Sequence, residues 1–72
     1  MACINSDGSL TRTARIVLRA LRSPGTEMDI AELTDLAFYQ VRASLRELVE
    51  LGLLEKYDDL YQITPAGLEK LD

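Results

Sequence analysis

Histidine is missing from these 72 residues, and cysteine occurs once, as Cys3. Without an imidazole there is no histidine base or nucleophile, and a zinc site is all but excluded; a lone cysteine rules out an internal disulfide and leaves cysteine-based metal binding without ligands. No metal and no cofactor are therefore expected. No window approaches the roughly 18 to 20 apolar residues of a membrane span, so no membrane partner is expected. The opening Met1-Ala2-Cys3-Ile4-Asn5-Ser6 lacks the charged head and long apolar run of a secretory signal, which predicts an intracellular, cytoplasmic protein. There is no glycine-rich phosphate loop, no nucleophile with a base at workable spacing, and too little chain for a pocket of ordinary size, so an enzyme is not expected. Internal repeats and low-complexity tracts are absent as well.

What is present is enough for one small core: 47% of the residues are apolar, and 72 residues make a single domain of modest stability. The net charge is −4 and the sequence pI near 4.6, the wrong sign for a protein that simply coats nucleic acid. The average conceals a segregation. Arg12, Arg15, Arg19 and Arg22 make the first third basic, whereas Glu27, Asp29, Glu32 and Asp35 make the next segment acidic. The end is acidic again, with Asp58, Asp59, Glu69 and Asp72.

Residues 1–9 show no periodicity and carry Asn5, Ser6, Asp7 and Gly8, which favour turns, so a loose N-terminal arm is expected ahead of a folded domain over 10–72. Ser9 or Thr11 can cap a first helix from about Leu10 to Arg22, whose apolar residues Ile16, Val17, Leu18, Ala20 and Leu21 spread over about 200° and suit packing on two sides. Its four arginines occupy an arc of about 80° on the remaining face. Such a stripe is either a solvated face with cations near the helix C-terminus or a contact surface for phosphate or an acidic partner. Ser23, Pro24 and Gly25 stop the helix.

A short second helix is expected from about Ile30 to Thr34, with Asp29 as its N-cap and Glu32 favouring its positive end. Ile30, Leu33 and Leu36 should reach the core, and Asp35 to Ala37 make a corner. A longer third helix follows from about Phe38 to Leu51. At 100° per residue Val41, Leu45, Leu48, Val49 and Leu51 fall within about 160°, which predicts the buried face. Tyr39, Arg42, Ala43 and Arg46 lie opposite, within about 100° and in the first two and a half turns. Gly52 sits where a left-handed terminating residue is wanted. The short apolar and aromatic runs on either side of Asp58-Asp59 predict a hairpin, with Tyr57 and Tyr61 packing in it. Thr64-Pro65 opens a last helix with Leu68 and Leu71 as its core-facing pair.

The fold class expected is mainly α with a small β-hairpin: a winged helix-turn-helix with a three-helix core, a two-stranded wing and a short C-terminal helix. Ala31-Glu32-Leu33-Thr34-Asp35-Leu36-Ala37, then Val41, Leu45 and Leu48, then Leu51-Gly52-Leu53-Leu54, resembles the helix-turn-helix of MarR-, ArsR- and PadR-type regulators. Tyr61-Gln62-Ile63-Thr64-Pro65-Ala66-Gly67-Leu68 is similar to the strand and closing-helix entry of the same group. The likeness covers roughly residues 12 to 71 and is specific for fold more than for subfamily. It implies double-stranded DNA as partner, with Tyr39, Gln40, Arg42, Ala43 and Arg46 facing the groove and residues 57–61 as the wing. Arginine can bond bidentately to guanine and glutamine to adenine, while tyrosine can reach phosphate.

Two residues depart from the pattern. Asp58 and Asp59 stand at a wing tip that is usually basic, and Ala37 replaces the serine that often caps the recognition helix. The function expected is a small DNA-binding transcription regulator or accessory module, acting as a homodimer because one such helix buries little surface for specificity. The alternative is a winged-helix adaptor that contacts a protein partner and no DNA, favoured by the negative charge, the acidic wing tip and the absence of lysine from both long helices.

Overall fold

The structure, a computed structural model, describes residues 3–71. In chain order it contains α1 (Arg12–Ala20), α2 (Glu27–Thr34), α3 (Phe38–Glu50), β1 (Leu54–Tyr57), β2 (Leu60–Ile63) and α4 (Pro65–Leu71). Among these residues no helix is long and apolar enough to cross a membrane.

α1 starts where Thr11 accepts a hydrogen bond from the N–H of Ala14 at 3.3 Å, so Thr11 is its N-cap. Ala14, Val17, Leu18 and Leu21 are buried; Arg12, Arg19 and Arg22 are exposed, and Arg15 is half-buried. α2 begins three residues before the expected start. Its cap is Thr26, not Asp29: the Thr26 hydroxyl accepts from Asp29 N–H at 3.2 Å, and the Asp29 carboxylate accepts from Thr26 N–H at 3.0 Å. Two otherwise unpaired donors are satisfied reciprocally, which stabilises an earlier start than a lone aspartate cap could. Of its expected core residues Ile30 is buried and Leu36 packs against the core at the corner, but Leu33 is 73% exposed. An eight-residue helix in so small a domain has only a narrow arc covered by neighbours.

The corner is set by Asp35, left-handed at φ 58°, and by Thr34, whose hydroxyl donates to the Ile30 carbonyl at 2.6 Å. α3 then buries Val41, Ser44, Leu45 and Leu48 against α1 and α2, with Val49 half-buried. Leu51, expected on that face, is its C-cap and is half exposed. The termination is a Schellman motif: Gly52 at φ 78° donates to the Val49 carbonyl at 3.0 Å, and Leu53 donates to that of Leu48 at 3.0 Å.

β1 and β2 pair antiparallel with Tyr57 opposite Leu60, so Asp58-Asp59 is the two-residue turn, with Asp58 at φ 56°. The hairpin is tied to the helical core by a bridge between Gly25 and Tyr61, at 3.1 and 2.8 Å, and by Ile63 N–H to the Leu21 carbonyl at 3.1 Å. Thr64 caps α4 by accepting from Gly67 N–H at 3.1 Å while donating to the Gly52 carbonyl at 2.7 Å. Leu71 packs on the core, yet Leu68 is 44% exposed. Gly67 takes the buried position instead, because its backbone lies directly on the Leu53 carbonyl.

Residues 3–10 do not trail away as a loose arm would. Cys3 and Leu10 are buried, Ile4 and Leu10 form a bridge, and Thr11 N–H donates to the Cys3 carbonyl at 2.9 Å. The intervening turn is closed by the Asp7 carboxylate, which accepts from Ser9 N–H at 3.0 Å and from its hydroxyl at 2.6 Å. Those donors hold the Asp7 pKa below its ordinary value. Met1 and Ala2, also expected in that arm, lie outside the described residues.

Candidate nucleic-acid interface

Because Val41, Leu45 and Leu48 fix α3 on the core, the opposite side of the helix is turned outward. Tyr39 is 72% exposed, and Arg42 and Arg46 are exposed. Ala43 is half-buried. Gln40 is tied to its own helix start: its side-chain oxygen accepts from the Ala37 N–H at 3.1 Å. Ala37 has no side-chain oxygen to complete a cap. The N–H groups of Phe38 and Tyr39 consequently find no acceptor among the described residues and point out of the helix start.

Two side chains hold Arg42. Its Nε lies 3.7 Å from the Glu27 carboxylate, and its guanidinium carbon 6.0 Å from the centre of the Phe38 ring. Arg46 has neither kind of partner among the described residues. Glu27 also accepts weakly from the Tyr61 hydroxyl at 3.5 Å, and Lys56 places its ammonium 5.7 Å from the Tyr61 ring. The result is an open trough of about 350 Å³ between α3 and the hairpin, lined by Arg42, Arg46, Lys56 and Tyr61 together with Val49 and the carboxylates Glu27 and Glu50.

Glu27, Lys56 and Tyr61 belong to this trough although the expected groove-facing set left them out. For Lys56 and Tyr61 a signal existed: a two-residue turn at Asp58-Asp59 sets Lys56 directly opposite Tyr61, on one face of the hairpin. Glu27 carried no such signal while it was placed ahead of its helix. On the other face Tyr57 is exposed and donates to Glu55 at 2.9 Å, which raises the Tyr57 pKa. The wing carboxylates Asp58 and Asp59 border a neighbouring hollow with Met28 and Lys56, away from the Arg46 side.

No family model matches this chain, and no curated protein matches it. Among solved structures it is similar to BpsR of Bordetella bronchiseptica, whose DNA binding is regulated by 6-hydroxynicotinic acid. The two superpose with a TM-score of 0.83 at 27% sequence identity, over 92% of this chain and 53% of that one. The chain thus spans about half the length of BpsR. With four helices and a two-stranded antiparallel hairpin in this order, the fold is a winged helix.

Proposed function

We propose that this chain is the DNA-reading module of a transcription regulator, of the MarR, ArsR or PadR kind, with α3 in the major groove and the hairpin beside the backbone. The observation that carries it is the outward face of α3, where Tyr39 and Arg46 are exposed and Arg42 stands over the trough. Arg42 and Arg46, one turn apart on a helix that fits a groove, can reach base edges or phosphates. Ala43 between them allows close approach to a base edge. The Phe38 and Tyr39 N–H groups at the helix start add donors for phosphate. Lys56 supplies a cation from the wing despite its acidic tip.

Few phosphates are neutralised by three such cations per chain, so non-specific affinity is weak and falls with salt by a slope of about −0.9 for each phosphate contacted. Two copies on a two-fold related site supply the surface that one α3 lacks, which makes a homodimer the working form. Cytoplasmic placement and the lack of an enzymatic role go with this function. The adaptor alternative is less well supported, because Arg46 remains uncancelled by a carboxylate among the described residues.

The test is a fluorescence-anisotropy titration of mixed-sequence duplex DNA at low salt. Wild type should bind, and Arg42→Ala with Arg46→Ala should weaken binding at least about fivefold, taking each lost phosphate contact as about 0.5 to 1.5 kcal/mol. A flat wild-type curve, or a double variant that binds equally well, overturns the proposal.

A further inference from the structure

The two charged surfaces that the groove-facing helix does not use are complementary to each other. Arg19 on α1, Arg22 in the turn after it, and Leu68 and Leu71 on α4 surround a hollow of about 380 Å³. Neither arginine has a carboxylate partner among the described residues, and Leu68 lies exposed beside them. On α2 the outward arc of about 140° presents Met28, Asp29, Glu32 and Leu33. Leu33 and Met28 are the two most exposed aliphatic side chains there, and Glu32 has no cationic partner among the described residues. One patch is two arginines with two leucines; the other is two carboxylates with two apolar side chains.

We infer that these patches bind each other between two copies of the chain, the α2 face of one protomer seated in the α1–α4 hollow of its partner, twice over. The occupant follows from charge and shape together. An anionic backbone is unsuited to the α2 face, because Asp29 and Glu32 would repel phosphate. The same carboxylates match Arg19 and Arg22, and Leu33 is of a size to enter the hollow beside Leu68.

Closure follows from position. Both patches flank the turn after α1: Arg19 and Arg22 border the first, while Ala20, Ser23 and Pro24 border a smaller hollow, about 240 Å³, next to Asp29 and Leu33. A two-fold axis near this turn brings each patch onto its complement in the other protomer, which gives a closed dimer instead of an open chain. None of the residues used lies on the outward face of α3.

The inference rests on the proposed DNA reading only for the reason that two copies are needed, and its test is run without DNA. A small interface of this kind should give a dissociation constant on the order of 10 to 100 μM and weaken as salt rises. Sedimentation equilibrium should show a monomer–dimer equilibrium for wild type. Arg22→Glu and Glu32→Arg, both surface changes checked for folding by circular dichroism, should each weaken it at least about tenfold, since each sets like charges together twice. An equimolar mixture of the two variants should recover wild-type association, because every pair is then opposite in sign. Leu33→Ser should weaken it without changing its salt dependence.

A wild type that stays monomeric to millimolar concentration overturns the inference, as does a dimer indifferent to both reversals or a mixture no tighter than its components. In any of these outcomes the groove reading still stands or falls by the anisotropy titration alone.

Discussion

Replacing Glu27 by glutamine should make the protein slightly less stable and at the same time a tighter binder of DNA. The carboxylate lies 3.7 Å from Arg42, with side-chain exposures of 65% for the arginine and 33% for the glutamate. For a pair this wet the solvent limit of Coulomb's law applies, about 1 kcal/mol at that distance, reduced by salt to roughly 0.7 kcal/mol. On the proposed reading, DNA has to overcome that attraction to engage Arg42 fully. Removing the charge also relieves repulsion between Glu27 and a passing phosphate, worth about 0.3 kcal/mol for a separation of about 7 Å once salt is counted. Together these amount to roughly 1 kcal/mol, a gain of about fivefold in affinity.

The opposite sign for stability has separate causes. Glu27 is the first residue of α2, where a negative charge is favoured by about 0.3 to 1 kcal/mol, and the surface pair itself contributes at most about 1 kcal/mol. Glutamine keeps an oxygen that can accept from the Tyr61 hydroxyl, so the packing between α2 and the hairpin is preserved. Anisotropy titrations at two salt concentrations beside a thermal melt read both quantities. A folded Glu27→Gln protein whose affinity is unchanged within twofold, or lower, refutes the claim that this carboxylate competes with DNA for Arg42.

Gly67→Ala should destabilise the domain by about 1 to 3 kcal/mol, lowering the melting temperature by some 4 to 8 °C per kcal/mol, because a Cβ there would collide with the Leu53 carbonyl and lie 2.7 Å from Ile63 Cγ1. A melt within 2 °C of wild type would show that α4 is not seated on that carbonyl. Cys3 is buried beside Ser44 and near Glu47, and burial first, then the Glu47 carboxylate, pushes its thiol up from 9.0 to about 12. At pH 8 the folded protein should therefore carry about a thousandfold less thiolate than an unfolded chain, and iodoacetamide labelling should be correspondingly slow until denaturant is added. The unfolded thiol ionises first as pH rises, so stability should fall between about pH 9 and pH 12; fast labelling of the folded protein would place Cys3 outside the core. Asp58→Asn with Asp59→Asn should raise DNA affinity severalfold at low salt and less at high salt, since asparagine tolerates the left-handed turn position while removing two charges; equal affinity at both salts would put the hairpin away from the backbone.

Much of this architecture could be read from the chain because its strongest signals are local. Proline and glycine after α1, glycine after α3, the threonine-proline entry to α4 and the two-aspartate turn each fix the backbone within a few residues, and each lies where expected. Periodicity was weaker guidance on burial. It gave the centre of the covered face but not its width, so Leu51 and Leu68, expected inside, lie nearly half exposed and Leu33 is mostly exposed.

Polar character misled in the other direction. Ser44 falls inside the arc that periodicity marks as buried, between Leu48 and Leu51 in angle, and it is fully buried although serine carries no apolar signal. The N-terminal segment was obscured for a similar reason. Asn5 to Ser9 looked like disorder, whereas Cys3 and Ile4 before it and Leu10 after it are the two sides of a tight turn laid on the core. Of the set expected to face a groove, the outward placement of Tyr39, Arg42 and Arg46 was legible from angles alone. That Gln40 closes its own helix start, and that Arg42 leans on Glu27, depends on tertiary neighbours no spacing rule contains.

The most direct measurement is an amide chemical-shift titration of the labelled protein with a short mixed-sequence duplex. If α3 enters the groove, the largest changes should fall on Phe38, Tyr39, Arg42, Ala43 and Arg46, with a second set at Lys56. Changes concentrated on the arginines of residues 12–22 with α3 silent, or none at all at low salt, would contradict the assignment of the outward α3 face to DNA.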